Sequence, residues 1–219
     1  TEYLINWNEN SGTTRNFDYA KDVFNFFRSI NTCMLGDFNA WIHYAAKRYY
    51  GMLGDGQYGT SSGTVTKRGY VMAHFARFVT GMTRVEGEIS DAAFTPLEGS
   101  VYISQSGDTV VAVLINPSSE ERQLTLDLPF YTLKGRMQST TRTQNMLYTS
   151  LVQEAETCRP VVLVPSESVN TILFVRSRDR QVSDMRGSAV HFDRIDGLTP
   201  TKTAFGSAYK MSGKSVTLD

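Results

Sequence analysis

An α/β segment followed by an all-β antiparallel part is the fold class that this sequence predicts. Two observations carry it. As far as Gly81, two blocks of apolar residues recur at helical spacing and flank an alternating stretch; beyond Gly81 the apolar period drops from about 3.6 to 2. A third observation allows a packed core, since 219 residues with 41% hydrophobic and 20% charged side chains belong to the globular class and not to disordered or fibrous ones.

The elements follow in order. Thr1-Glu2-Tyr3-Leu4-Ile5 opens the chain on an apolar-containing stretch with no cap or turn before it, as a fragment beginning inside a structural element would. A loop rich in Asn, Gly and Thr runs from Asn6 to Asn16. Asp18 is the expected N-cap of a helix whose Ala20, Val23, Phe27 and Ile30 share one face and which ends between Asn31 and Gly36. From Phe38 to Tyr44, apolar and aromatic residues on both faces predict an internal strand. Gly51, Gly54, Gly56, Gly59 and Gly63 exclude regular structure from the next stretch. Val71, Phe75, Phe78 and Val79 then mark a second helix with Gly81 as its C-cap. After it, short alternating segments at Val85 to Ile89, Val101 to Gln105, Val110 to Asn116, Leu124 to Leu128, Val161 to Val164 and Thr171 to Val175 predict an antiparallel β-sandwich. From Ser177 the chain turns polar and reads as a linker or the start of a further module.

Composition removes several function classes. Lys+Arg and Asp+Glu both number 22, so the chain has no basic footprint for nucleic acid or an anionic membrane. The longest apolar runs, such as Val110 to Ile115, fall far short of the roughly 20 residues that cross a bilayer. Cys33 and Cys158 lack zinc-ligand spacing and leave room for one disulfide at most; His43, His74 and His191 are too scattered for a metal site. No cofactor motif is present.

The stretch Asn39-Ala-Trp-Ile-His-Tyr-Ala-Ala-Lys-Arg-Tyr-Tyr-Gly51, followed by Thr66-Lys-Arg-Gly-Tyr-Val-Met-Ala-His-Phe-Ala-Arg-Phe-Val79, resembles glycoside hydrolase family 30, in particular its xylanase and glucuronoxylanase branch. The resemblance covers roughly residues 1–176. It implies that residues 1–82 are the last two strand–helix units of a (β/α)8 catalytic barrel, that 83–176 form a β-sandwich side domain, and that 177–219 lie beyond both. It implies a retaining endo-β-1,4-xylanase acting on plant xylan, secreted or periplasmic, with no cofactor. The family's nucleophile sits in a Thr-Glu motif that aligns with Thr1-Glu2, whereas its acid/base Glu lies on an earlier strand and matches no position here.

Retaining glycoside hydrolysis needs two carboxyl groups about 5 to 5.5 Å apart, one attacking the anomeric carbon and one protonating the leaving oxygen. One group cannot do both, so Glu2 as nucleophile leaves this chain alone without activity. The resemblance assigns Tyr44 to the sugar subsite beside the nucleophile, and Arg48 with Tyr50 to the glucuronate branch of xylan. A planar guanidinium fork matches a carboxylate bidentately, and aromatic faces suit sugar CH groups. Trp7 is a further candidate platform. Ala45 and Leu4 stand where the family carries Tyr, which loosens the implied dependence on glucuronate.

Other residues have plainer readings. Glu86 and Glu88 alternate with Val85, Gly87 and Ile89 on a solvated sheet face; Gly54-Asp55-Gly56 is turn chemistry; His74 is a packed or capping histidine; Tyr102 is an isolated exposed aromatic. A non-catalytic carbohydrate-binding or interaction β-sandwich is the alternative from another class, and a β-glucosidase or β-1,6-glucanase of the same family is the alternative within it. The expected partners are a polysaccharide and further polypeptide, either the amino-terminal half of the barrel or a second copy. Two parallel strands alone would leave Phe24, Phe26, Phe27, Ile42, Phe75 and Phe78 as an exposed apolar patch.

Overall fold

The computed structural model describes residues 18–38, 40–86 and 97–180, together with the backbone of 200–203 and 206–209. Asp18 closes the first turn as its sequence position predicts. Its Oδ1 accepts from the Lys21 N–H at 3.2 Å, and its own N–H donates to Asp22 Oδ2 at 3.0 Å. This reciprocal capping starts a π-helical segment, Ala20–Phe24, that runs directly into α1, Asn25–Leu35. Tyr19, Val23, Phe26, Phe27 and Ile30 form its buried stripe. Helix α2, Lys67–Ala76, is capped by Thr66, whose hydroxyl accepts from the Gly69 N–H at 3.2 Å. It stops short of Gly81, so Phe78 and Val79 fall in the turns that follow, and Gly81 adopts φ +78°.

The strands are β1 Thr83–Val85, β2 Glu98–Ile103, β3 Thr109–Asn116, β4 Arg122–Thr125, β5 Phe130–Thr140, β6 Leu147–Thr157, β7 Val161–Val164, β8 Ser168–Val175 and β9 Arg178–Asp179; β10 Pro200–Thr203 and β11 Gly206–Tyr209 pair as a separate hairpin. The main sheet is antiparallel with order β1-β2-β3-β8-β5-β6, and β9 adds to β5 through Phe130 opposite Asp179 and Tyr131 opposite Arg178. Strands β4 and β7 form a second, two-stranded sheet. Burial on both faces explains the unbroken apolar run of β3. Val111, Val113 and Ile115 join the helices in one core, while Val110, Ala112 and Leu114 join Val162 and Val164 of β7 in another. Gly135 of β5 lies opposite Phe174, where any Cβ would strike the ring.

The structure departs from expectation in three places. Phe38 and residues 40–44 form no strand, and Phe38, Ile42 and Tyr44 are 65%, 86% and 55% exposed. A parallel strand is held by ladders to its neighbours, and among the described residues none runs beside this one. Phe24, Phe26, Phe27 and Phe75 are not part of an exposed patch, because the helix-side face of the sheet covers them; Phe78 is half-buried. Strands β5 and β6 carry no apolar alternation strong enough to be read in advance. Much of the buried surface of β5 is polar and bonded, with Thr132 Oγ1 donating to the Val175 carbonyl at 2.7 Å and Ser139 Oγ to Asn170 Oδ1 at 2.7 Å. Cys33 and Cys158 are free thiols, so the one possible disulfide is not formed. Among the described residues no helix is long and apolar enough to cross a membrane.

Polar clamps fix the helices on the sheet. Arg28 grips Glu98 of β2 with Nε and Nη2 at 2.8 and 2.6 Å, and Lys67 Nζ donates to the Thr141 carbonyl at 2.6 Å. The deepest clamp is His74, which packs as its plainer reading implied. Nδ1 lies 2.8 Å from Thr171 Oγ1, and Nε2 lies 2.9 Å from Thr140 Oγ1. Thr171 Oγ1 donates to the His74 carbonyl at 3.3 Å and so accepts from Nδ1–H, which leaves Nε2 of the neutral ring to accept from the Thr140 hydroxyl. This assigns the Nδ1–H tautomer to the neutral ring. Burial pushes the His74 pKa down to about 3, from an ordinary 6.5.

A pH dependence follows. Below about pH 6.5 the unfolded chain takes a proton at His74 that the native state refuses, so stability falls with pH until about pH 3. Between about pH 6 and 4 the unfolding free energy of the wild type should fall roughly 1.4 kcal/mol per pH unit more steeply than that of His74→Gln. Denaturant melts that run parallel for the two proteins would contradict this burial account.

Candidate functional site

Glu2 and Trp7 lie outside the described residues, as does Leu4. Tyr44, Arg48 and Tyr50 lie on the segment that connects α1 to α2, and short backbone bonds close part of it into a loop. The Leu53 N–H donates to the Ala46 carbonyl at 2.9 Å, the Arg48 N–H to the Leu53 carbonyl at 3.0 Å, and the Gly51 N–H to the Arg48 carbonyl at 2.8 Å. The result is a tight Arg48–Gly51 turn on a closed base. Gly51 permits it, since a Cβ there would meet the carbonyl oxygens of Ala45 and Ala46. The turn is tied to α2 by its cap: Thr66 Oγ1 donates to the Gly51 carbonyl at 2.6 Å, and the Thr66 N–H to the Met52 carbonyl at 2.9 Å.

On this frame Arg48 and Tyr44 are exposed and Tyr50 is half-buried. The peptide bond between Tyr44 and Ala45 is cis. The Tyr50 ring meets the edge of Tyr49 at 4.8 Å, and Tyr49 is buried against Tyr58 at 4.6 Å.

Beneath the turn sits a residue that sequence reasoning missed. Arg68 of α2 is 1% exposed, with Nη2 2.7 Å from Asp22 Oδ1 and Nη1 donating to the Tyr50 carbonyl at 2.9 Å. Its guanidinium lies 5.5 Å from the centre of the Phe26 ring. Nε has no hydrogen-bond partner among the described residues. Burial pushes the Asp22 carboxyl above its ordinary range, and the bonds from Arg68 pull it back. The Tyr50 carbonyl has a second neighbour in His43, whose Nε2 lies 3.2 Å away and therefore carries the ring hydrogen. His43 stacks on Trp41 at 5.7 Å and meets Phe26 edge-on at 5.0 Å, and burial lowers its pKa. The structure thus draws Tyr50 and the neighbour of Tyr44 together. Asp22 and Arg68 lie 46 positions apart in sequence, and no local spacing announces such a pair.

Of the remaining candidates, Asp55 keeps its plainer reading, while Tyr102 proves to be a core residue and not an exposed aromatic. Asp55 Oδ1 accepts from the Gln57 N–H at 3.1 Å, which is turn chemistry; Tyr102 is buried with its hydroxyl 2.9 Å from Ser100 Oγ; Glu86 is exposed, and Glu88 lies outside the described residues. A separate open groove of about 470 Å³ is lined by Ile30, Met34, Trp41, Met72 and Phe75, with the exposed Asp37–Arg84 pair at its rim. Among the described residues no group of His, Cys, Asp and Glu is arranged to hold a metal ion. What the loop offers chemically is the exposed guanidinium of Arg48, two positions before the half-buried Tyr50 on the same turn.

Solved structures define the class of this fold. The chain matches a family 30 endoxylanase from Clostridium papyrosolvens C71 with a TM-score of 0.62 at 20% identity, over 80% of this chain and 40% of that one. It matches the catalytic domain of the family 30 xylanase C from Talaromyces cellulolyticus with a TM-score of 0.61 at 14% identity, over the same 80% and 40%. In sequence, it is 39% identical over 92 residues to glucuronoxylanase XynC of Bacillus subtilis strain 168, covering 41% of this chain and 19% of that protein. The chain therefore spans about a fifth of the length of the curated relative it matches. No protein-family model matches it. Together these likenesses make the chain similar to the carboxyl-terminal part of a family 30 xylanase.

The buried pair makes a direct prediction. Asp22→Asn or Arg68→Met alone leaves one member of the pair without its partner in a dry site and should cost about 3–5 kcal/mol in equilibrium unfolding. A loss below about 1 kcal/mol in both variants would show that water reaches the pair.

Proposed function

We propose that this chain is part of a retaining endo-β-1,4-xylanase of the glucuronoxylanase type, carrying the nucleophile and the residues that read an acidic branch on xylan. The observation that carries the reading is the exposed Arg48 on a turn fixed at both ends, next to Tyr50. An acidic branch would bring its carboxylate to the Arg48 fork, and Tyr50 would lie alongside the sugar. Glu2 would attack the anomeric carbon, while a Glu supplied by polypeptide outside these 219 residues would protonate the leaving oxygen and then activate water. Residues 1–82 would be the last two strand–helix units of a (β/α)8 barrel, in which the stretch from Phe38 to Tyr44 gains the neighbours it lacks here. Residues 83–176 would be a β-sandwich beside the barrel. The remaining polypeptide would be the amino-terminal half of the barrel or a second copy of this chain, and the whole would be secreted or periplasmic.

Two measurements test the reading. In the completed enzyme, a mechanism-based reagent for retaining glycosidases should label Glu2, and peptide mapping of the label to another carboxylate would refute the assignment. Arg48→Ala should lower kcat/KM on glucuronate-branched xylan about 10- to 100-fold while leaving unbranched xylo-oligosaccharides nearly unaffected, since it removes a charge-assisted pair. Equal losses on both substrates would mean that Arg48 supports the loop and does not read the branch.

A further inference from the structure

We infer that Asp22 and Arg68 are positioning residues for recognition of the acidic branch: their ion pair holds the Tyr50 carbonyl, and with it the Arg48–Gly51 turn, where the Arg48 fork can meet a carboxylate. The inference rests on the reading of Arg48 and Tyr50 given above. Neither Asp22 nor Arg68 reaches solvent, so neither touches a ligand; each acts through the loop.

The geometry supports this in three ways. Arg68 spends one terminal nitrogen on Asp22 and the other on Tyr50, so the guanidinium is a rigid bracket between the π-helical segment and the turn. The bracket is itself fixed, because Asp22 Oδ2 accepts from the Asp18 N–H and the Phe26 ring backs the guanidinium. The Tyr50 carbonyl and the Gly51 N–H belong to one planar peptide, so the bracket on that carbonyl also restrains the Gly51–Arg48 bond that closes the turn carrying Arg48.

Energetics point the same way. Burying an ion pair seldom stabilises a protein relative to apolar residues of similar volume, and here Arg68 Nε is also left without a partner among the described residues. The pair is an expensive way to fill the space beneath the turn. What it supplies that a Leu and a Met would not is a directed donor to Tyr50. A bidentate contact to a carboxylate tolerates errors of only about 0.5 Å in the placement of the fork, so a donor of this kind affects recognition directly.

The test uses the purified 219-residue chain and isothermal titration with a xylo-oligosaccharide that carries one glucuronate branch. The key variant is Asp22→Leu/Arg68→Met, which removes both charges, leaves no unpaired charge buried, and should melt within a few degrees of the wild type. Its affinity should fall at least tenfold, as should that of Arg48→Ala. Wild-type affinity in the folded double variant, with affinity lost in Arg48→Ala, overturns the positioning role and leaves the recognition reading standing. No binding by the wild type, or unchanged binding by Arg48→Ala, overturns the recognition reading and the inference with it. If the double variant does not fold, Arg68→Lys replaces it: one ammonium keeps the charge opposite Asp22 but cannot bracket both partners. The same tenfold loss is expected there, and unchanged affinity again overturns the positioning role.

Discussion

A full positive charge that water cannot reach must be matched by its surroundings, and the arrangement of the first half of this chain follows from how Arg68 is matched. Asp22 supplies the counter-charge, the Phe26 face supplies its π-electrons, and the Tyr50 carbonyl supplies an acceptor. These partners come from the π-helical segment, α1 and the connecting loop. One side chain of α2 therefore joins the first helical stretch, Ala20–Leu35, to the connecting loop. Besides Arg68, the loop is held by its own short backbone bonds, the Thr66 cap, the His43 ring at the Tyr50 carbonyl and the packing of Tyr49.

A second buried polar group plays the matching role toward the sheet. His74 leaves the same helix on a different side and sits between Thr140 at the end of β5 and Thr171 of β8. Helix α2 is thus the link between the exposed loop and the antiparallel sheet, held below by a neutral imidazole and above by a charged guanidinium. The two contacts differ in kind. Neutral imidazole between two hydroxyls is satisfied at both nitrogens, whereas Arg68 keeps one donor unmatched among the described residues. The fully satisfied group ties the helix to the sheet, and the one with an unmatched donor ties it to the loop.

Much of this was legible in the sequence, and what was not has a physical reason. The helical spacing of Val23, Phe27 and Ile30, the cap at Asp18, and the run from Val110 to Ile115 all report burial by apolar side chains, which periodicity detects. Strand β5 escaped because its buried positions include Thr132, Ser139 and Thr140, which are satisfied by hydrogen bonds and leave no apolar rhythm. The stretch from Phe38 to Tyr44 failed in the opposite way, since its apolar rhythm is real but pairing is a property of neighbours. At the site, Arg48 and Tyr50 were found through family resemblance, and the structure adds only that they share an anchored turn. Arg68 stood in the same resembling stretch and was passed over, because an arginine on a helix reads as a surface charge until its long-range partner Asp22 is known.

The central claim is that Arg68 couples the packing of α2 to the order of the loop, and native-state hydrogen exchange on the purified chain tests it most directly. If the coupling holds, the amides of Arg48, Gly51 and Leu53 will be protected and will open with the same free energy as the Tyr70 amide, which bonds to the Thr66 carbonyl in the first turn of α2. Loop amides that exchange within about tenfold of an unstructured peptide while Tyr70 stays protected would contradict it, and would mean that the buried pair serves the helices alone.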